Sequence, residues 1–363
     1  MITSLSRRDS TFLKGLAICA IFLHNYCHWM PRCIPENEYS FTESNVQMLA
    51  HYFRNGGPHL FMNILSFFGH YGVPIFLFIS GYGLVQKYER SNASSVSIGS
   101  FISYNVIKLW KLLVPAVLLF IGIHAFEHGW HIRLHWADVL YVLTFVSNLM
   151  PKHYNLLGPW WYFSLTLQLY IVYRLVFYRW RNRTSLLVAV GLCLLMQAIV
   201  LLFFDNAKHE VLHYLRYNFV GSMLPFLAGV WGSRYGFRLP VWSFLPSMIL
   251  LILCSFNAYL WLLTPLFAIG IALPLASLLP RKSSGLWLWI GGLSASLFVV
   301  HPLVRPYFAN WAKAAEKENL SIYPAFVGYI AACFFAAWLY NAFQTRLFVK
   351  KQGLSKKSEF TPF

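Results

Sequence analysis

At 363 residues, 58% of them hydrophobic and only 11% charged, the chain is too apolar for a soluble globular protein, and its composition calls for a bilayer as solvent. A formal charge of +17 raises nucleic acid as a partner, but Lys and Arg stand between apolar stretches rather than in one solvated patch; that is the pattern of positive-inside sorting, and no nucleic acid is expected. The six cysteines fall mostly inside apolar stretches and do not spell a disulfide scaffold, although Cys27 and Cys33 are placed for an extracytoplasmic bridge.

In chain order, Arg7 and Arg8 precede a long apolar run with no small-residue cleavage site, which reads as a retained signal anchor. Apolar windows predict spans at Phe12 to Met30, Gly69 to Val85, Phe101 to Phe126, Trp160 to Tyr178, Ser185 to Phe204, Tyr217 to Tyr235, Trp242 to Phe256, Tyr259 to Leu279, Leu286 to Arg305 and Tyr323 to Phe343. The seventh and eighth nearly fuse at Asn257. Trp136 to Met150 is too short to cross and reads as a re-entrant or interfacial segment. Basic clusters recur after every second span: Lys87 with Arg90, Arg179 with Arg181 and Arg183, Arg234 with Arg238, Arg281 with Lys282, and Arg346 with Lys350, Lys351, Lys356 and Lys357. The expected fold is therefore an all-α polytopic membrane protein of about ten transmembrane helices with both termini cytoplasmic. One membrane domain covers residues 1–349, and a polar tail, expected to be disordered, covers 350–363. The integral, multi-pass character places the protein in the cytoplasmic membrane among its lipids.

Ionisable groups inside a membrane span are costly and mark chemistry. The first span carries Lys14 and, ten residues on, His24, with His28 one turn further. On a helix the first two are about 15 Å apart along the axis. His28 reads as a partner behind His24 or as a polar interfacial residue. In the second span, the string Gly72 to Tyr82 holds Ser80 and Gly81, small enough for close helix approach. Lys108 and Lys111, three apart, share one helix face near the cytoplasmic side, where they suit an anion or snorkel to lipid phosphates. His301, followed by Pro302, reads as an acceptor contact or as a buried structural histidine. His124, His128, His131 and His135 would stack on a helix beside Glu127, but Gly129 and Trp130 interrupt them, so an aromatic interfacial loop is expected and no metal.

Taken together, Lys14-Gly15-Leu16-Ala17 running to His24, the Gly72 to Tyr82 string, the bases before Pro115, Trp160-Trp161-Tyr162-Phe163-Ser164 ending at Tyr170, and Ser296 to Pro302 resemble, in order, the acyltransferase-3 family of membrane acyltransferases over about Ser10 to Phe343. The resemblance implies O-acylation, usually O-acetylation, of an extracytoplasmic glycan or glycolipid, with cytoplasmic acyl-CoA (acetyl-CoA) as donor. It implies catalytic roles for His24 and Lys14 and a donor-binding role for Lys108 and Lys111; His301 and His28 are substrate-binding candidates from their own positions. Three positions depart from the family pattern: a basic residue and His ten rather than eleven apart, which puts Asn25 at the family's spacing; Lys-Lys in place of an Arg-bearing pair; and Thr166 where many members carry Glu. The alternative is a polytopic transporter or flippase for a lipid-linked sugar, with His24 and the lysines lining its path.

Overall fold

The computed structural model describes residues 4–90, 96–128, 135–150, 156–203, 210–278 and 285–349. The tail 350–363, His131, Arg281 and Lys282 lie outside the described residues. Fourteen α-helices run along the described chain: α1 (Arg7–Cys27), α2 (Glu43–Asn55), α3 (Leu60–Phe68), α4 (Gly72–Tyr88), α5 (Ile98–His128), α6 (Trp136–Leu143), α7 (Trp161–Val172), α8 (Arg183–Phe203), α9 (Glu210–Tyr217), α10 (Phe219–Tyr235), α11 (Phe244–Cys254), α12 (Thr264–Leu278), α13 (Gly285–Lys317) and α14 (Tyr323–Gln344).

Among the described residues, six helical stretches are long and apolar enough to cross a membrane: Leu60–Tyr88, Ile98–Glu127, Arg183–Phe203, Leu260–Leu278, Gly285–Lys317 and Tyr323–Phe348. Four of the ten predicted spans are helical without meeting that standard. The α1 run carries too many polar residues, while α7, α10 and α11 are only 12, 17 and 11 residues long. The weak boundary at Asn257 is a real break, since α11 ends at Cys254 and a 3₁₀ turn at Leu260–Leu263 leads into α12. One boundary moves the other way. Pro302 and Pro306 lie inside α13 without ending it, and the helix runs on past Arg305, the end of the predicted ninth span, to Lys317. As its predicted span does, α5 passes through Pro115, and it ends at His128. In an apolar medium the helix remains the cheapest way to pair backbone groups around a proline.

The chain divides into two units. The first comprises the described residues of Met1–Ser95 and Trp180–Ser294, the second those of Val96–Arg179 and Ala295–Glu359. In the first unit α4 is the hub, packed by α1, α10 and α12. It is apolar all round and buried along nearly its whole length, as such a helix must be when neighbours cover every face. Gly81 of α4 lies against the Phe226 backbone of α10, and Gly229 of α10 against the Phe78 backbone, so the two helices cross at reciprocal glycines. At the end of α4, Glu89 takes both Arg234 nitrogens, Nε at 2.9 Å and Nη2 at 2.6 Å, in a buried fork. By contrast α8 exposes Leu187, Leu192, Leu195, Ile199 and Leu202, a surface that only lipid would tolerate. All six cysteines, Cys27 and Cys33 included, are free thiols.

The second unit packs α7 against α5 and α6. The Trp160 indole donates to the Val299 carbonyl of α13 at 3.2 Å, and the Tyr340 hydroxyl of α14 donates to the Leu112 carbonyl of α5 at 2.5 Å. The segment expected to be re-entrant or interfacial is the eight-residue α6 with a 3₁₀ turn at Ser147–Leu149.

Candidate active site

The first helix starts earlier than its apolar run because Ser6 and Asp9 form a capping box. It ends at Cys27, and His24 therefore falls in its last turn. His24 is buried, 4% exposed. Its Nδ1 lies 3.2 Å from the Leu65 carbonyl oxygen of α3. A carbonyl can only accept, so Nδ1 carries the proton and Nε2 keeps the basic lone pair. The imidazole stacks 5.8 Å from the His28 ring and meets the His70 ring edge-on at 5.6 Å. Gly69 makes this approach feasible, because a Cβ there would stand 2.5 Å from the His24 Cβ.

Two carboxylates complete the cluster. His24, Glu36 and Glu38 bring nitrogen and oxygen atoms within 4.8 Å of one another. Glu36 is ion-paired to His28 Nδ1. The strap bearing Glu36 and Glu38 is held from several sides: Trp261 Nε1 donates to the Asn37 carbonyl at 2.7 Å, and Arg216 Nε donates to the Glu38 carbonyl at 2.9 Å. The Arg216 guanidinium also donates to Gln197 Oε1 at 3.2 Å and lies 4.0 Å over the Trp261 ring. Asn37 accepts from the Asn45 side chain at 2.9 Å and from Thr42 N at 3.2 Å, closing the strap on itself.

Burial works against ionisation of Glu36, but the His28 hydrogen bond, with the neighbouring imidazoles, outweighs it and brings the carboxyl down to about 2. Burial pushes Glu38 up to about 8, helped by the Glu36 charge and opposed by the Tyr39 hydroxyl and Arg216. Burial also lowers the Arg216 guanidinium to about 10. Two neighbouring carboxyl groups driven apart in this way take different roles, one stabilising positive charge and the other holding a proton. One imidazole with two carboxylates is a donor set that a divalent cation accepts, though His28 already engages one of the carboxylates.

Of the residues picked out by sequence, His24 sits in this cluster and His28 joins it through Glu36 rather than lying free at an interface. Asn25 donates to its own helix, to the Ile21 carbonyl at 3.0 Å, so the ten-residue spacing leaves His24 as the group that meets the carboxylates. Lys14 is half-buried on α1 and has no acidic partner among the described residues. The unbroken helix keeps it about 15 Å from His24 along the axis.

In the second unit, Lys108 is half-buried and Lys111 exposed on α5, with Lys111 Nζ 5.6 Å from the Phe348 ring. His301 is fully buried on α13, its Nδ1 donating to the Leu297 carbonyl at 3.0 Å. Thr166 turns its hydroxyl back to the Tyr162 carbonyl at 2.7 Å. The expected histidine loop is instead partly helical: His124 lies on α5 with its ring stacked on Phe120, α5 continues to His128, and His135 precedes α6. Glu127 accepts a hydrogen bond from Tyr307, and no metal-type group forms there among the described residues. A cavity of about 640 Å³ in this unit is lined by groups such as Leu118, Leu303, Leu339 and Phe343 and suits hydrocarbon rather than proton transfer.

Sequence reasoning missed Glu36, Glu38, His70 and Arg216. A signal for the carboxylates was there: in a chain with 12 acids, two stand within Pro35-Glu36-Asn37-Glu38-Tyr39.

These features define a polytopic helical membrane protein with a buried histidine–carboxylate cluster at the end of its first helix. The chain belongs to the acyltransferase-3 family: the model of that family, an acyltransferase domain, matches residues 8–341, nearly the whole length. No curated protein and no solved structure matches it.

Proposed function

We propose that this protein transfers an acyl group, acetyl as the leading case, from cytoplasmic acyl-CoA to a hydroxyl of an extracytoplasmic glycan or glycolipid. The observation that carries this reading is His24, a buried imidazole with a ring nitrogen within 4.8 Å of Glu36 and Glu38 oxygens, in a chain of acyltransferase-3 membership. Nε2 removes the acceptor proton as the hydroxyl oxygen attacks the thioester carbonyl. The carbon–sulfur bond breaks, and the imidazolium returns its proton to the departing CoA thiolate. The Glu36 carboxylate stabilises the imidazolium, as an acid partner does in a triad. Lys108 and Lys111 bind the CoA phosphates as point charges. Lys14 supplies a cation on the donor side, and His301 and His28 serve the acceptor side. No metal is required, because the proton relay is complete without one. The protein resides in the cytoplasmic membrane, with about ten spans and both termini in the cytoplasm.

The test is reconstitution in proteoliposomes with acetyl-CoA and glycan from the same membrane, read by mass spectrometry. The expected result is one acetyl added per modified hydroxyl, lost in His24→Ala. Glycan moved across the bilayer with no mass change would overturn the reading in favour of a flippase.

A further inference from the structure

The short helix α9 presents two faces to the Glu36–Tyr39 strap. Leu212 and Arg216 turn toward Trp261. His213 and Tyr217, one turn apart, form the next face, their rings stacked with centroids 5.4 Å apart. Tyr39 closes the group at 5.1 Å from His213 and 5.0 Å from Tyr217. His213 is exposed, while Tyr39 and Tyr217 are half-buried. Tyr39 directly follows Glu38, whose carboxylate is within 4.8 Å of a His24 nitrogen. A three-ring aromatic wall that reaches solvent thus stands one residue from the proton-transfer cluster.

The chemistry of this wall selects its ligand. Aromatic faces pack against the C–H face of a pyranose, while carboxyl and imidazole groups at its base meet the hydroxyls. Arg216, the cation on the same helix, is already engaged by the Glu38 carbonyl, Gln197 and Trp261. The ionised Glu36 beyond it repels an anion. We propose that Tyr39, His213 and Tyr217 form an acceptor subsite for an uncharged pyranose residue. The proposal rests on the O-acyl transfer reading and names the acceptor class within it.

Saturation-transfer NMR on the full-length protein in nanodiscs tests this without turnover, using methyl glucoside, methyl N-acetylglucosaminide and methyl glucuronide as probes. The two neutral probes should receive saturation on their ring C–H protons and the glucuronide little. The signal should fall about fivefold in His213→Ala and Tyr217→Leu, the loss expected from one stacking contact, and survive in Tyr217→Phe. Tyr214→Ala, on the adjacent face of α9, should leave it unchanged. Equal saturation in Tyr217→Leu and the wild type, preference for the glucuronide, or no binding of either neutral probe would overturn the subsite. Acetyl transfer that persists without this binding leaves the enzymatic reading intact and removes only the subsite; binding without any transfer removes the enzymatic reading.

Discussion

His24 and Asn25 are adjacent in sequence but opposite in consequence. The first meets two carboxylates and the second bonds its own helix. His24→Ala should lower acyl transfer about 10²–10⁴-fold, the range for loss of a positioned base, while the protein still inserts and purifies as a helical species. Asn25→Ala should stay within a few-fold of wild type by the same assay, and near-normal turnover of His24→Ala with saturating acyl-CoA would remove His24 as the base. Glu36 gives a prediction in pH. Its folded value, about 2, lies below the unfolded carboxylate value, so the stabilisation it lends the strap is complete above about pH 4.5 and is lost as pH falls from there through about 2. Tryptophan fluorescence melts across that window should show the wild type losing stability on acidification. Glu36→Gln should start less stable and show a flatter acid limb; an unchanged limb would mean the His28 pair contributes nothing.

Helix contacts carry the next level of consequence. At Gly69 a methyl group would press on the His24 Cβ and the Ala20 carbonyl, so Gly69→Ala should cost about 1–3 kcal/mol and also reduce turnover by displacing the base. Gly81→Ala, wedged against the Phe226 backbone, should cost a similar amount with donor and acceptor KM unchanged in the surviving protein. Thermal melts alongside steady-state kinetics separate the two, and equal effects on turnover would show that the Gly69 contact does not position the site. On α5, replacing Lys108 and Lys111 together with Gln should raise the KM for acyl-CoA at least about tenfold and leave that for acceptor near wild type, since each ammonium contributes a charge-assisted contact to phosphate. A matched rise in both would assign the pair a structural role.

For the whole molecule, alternate recurrence of Arg and Lys predicts that reporter fusions after Arg90, Arg183 and Arg346 are active only with a cytoplasmic reporter, and a fusion after Glu38 only with an extracytoplasmic one. A cytoplasmic reading at Glu38 would put the His24 strap on the wrong face for an outer acceptor. Among the described residues six helices are long and apolar enough to cross, while α1 is too polar and α7, α10 and α11 too short.

The bilayer class, the helical content and the family were legible in the sequence, because mean apolarity, charge spacing and motif order are local properties, and an ionisable residue in a span drew attention to His24. The reciprocal glycine crossing was half legible, since Gly81 announces close approach without naming Gly229 as its partner. Helix ends were read less well: the predicted ninth span stops at Arg305, just before Pro306, yet an apolar surround carries α13 through that proline to Lys317. The composition of the site belonged to the tertiary structure alone. Glu36 and Glu38 lie twelve and fourteen residues beyond His24, His70 follows α3 and Arg216 is on α9, and nothing in their local spacing brings them together. They meet because Trp261, Arg216 and Asn45 fold the strap back over the end of α1, contacts that span up to 224 residues and exist only once the helices have packed.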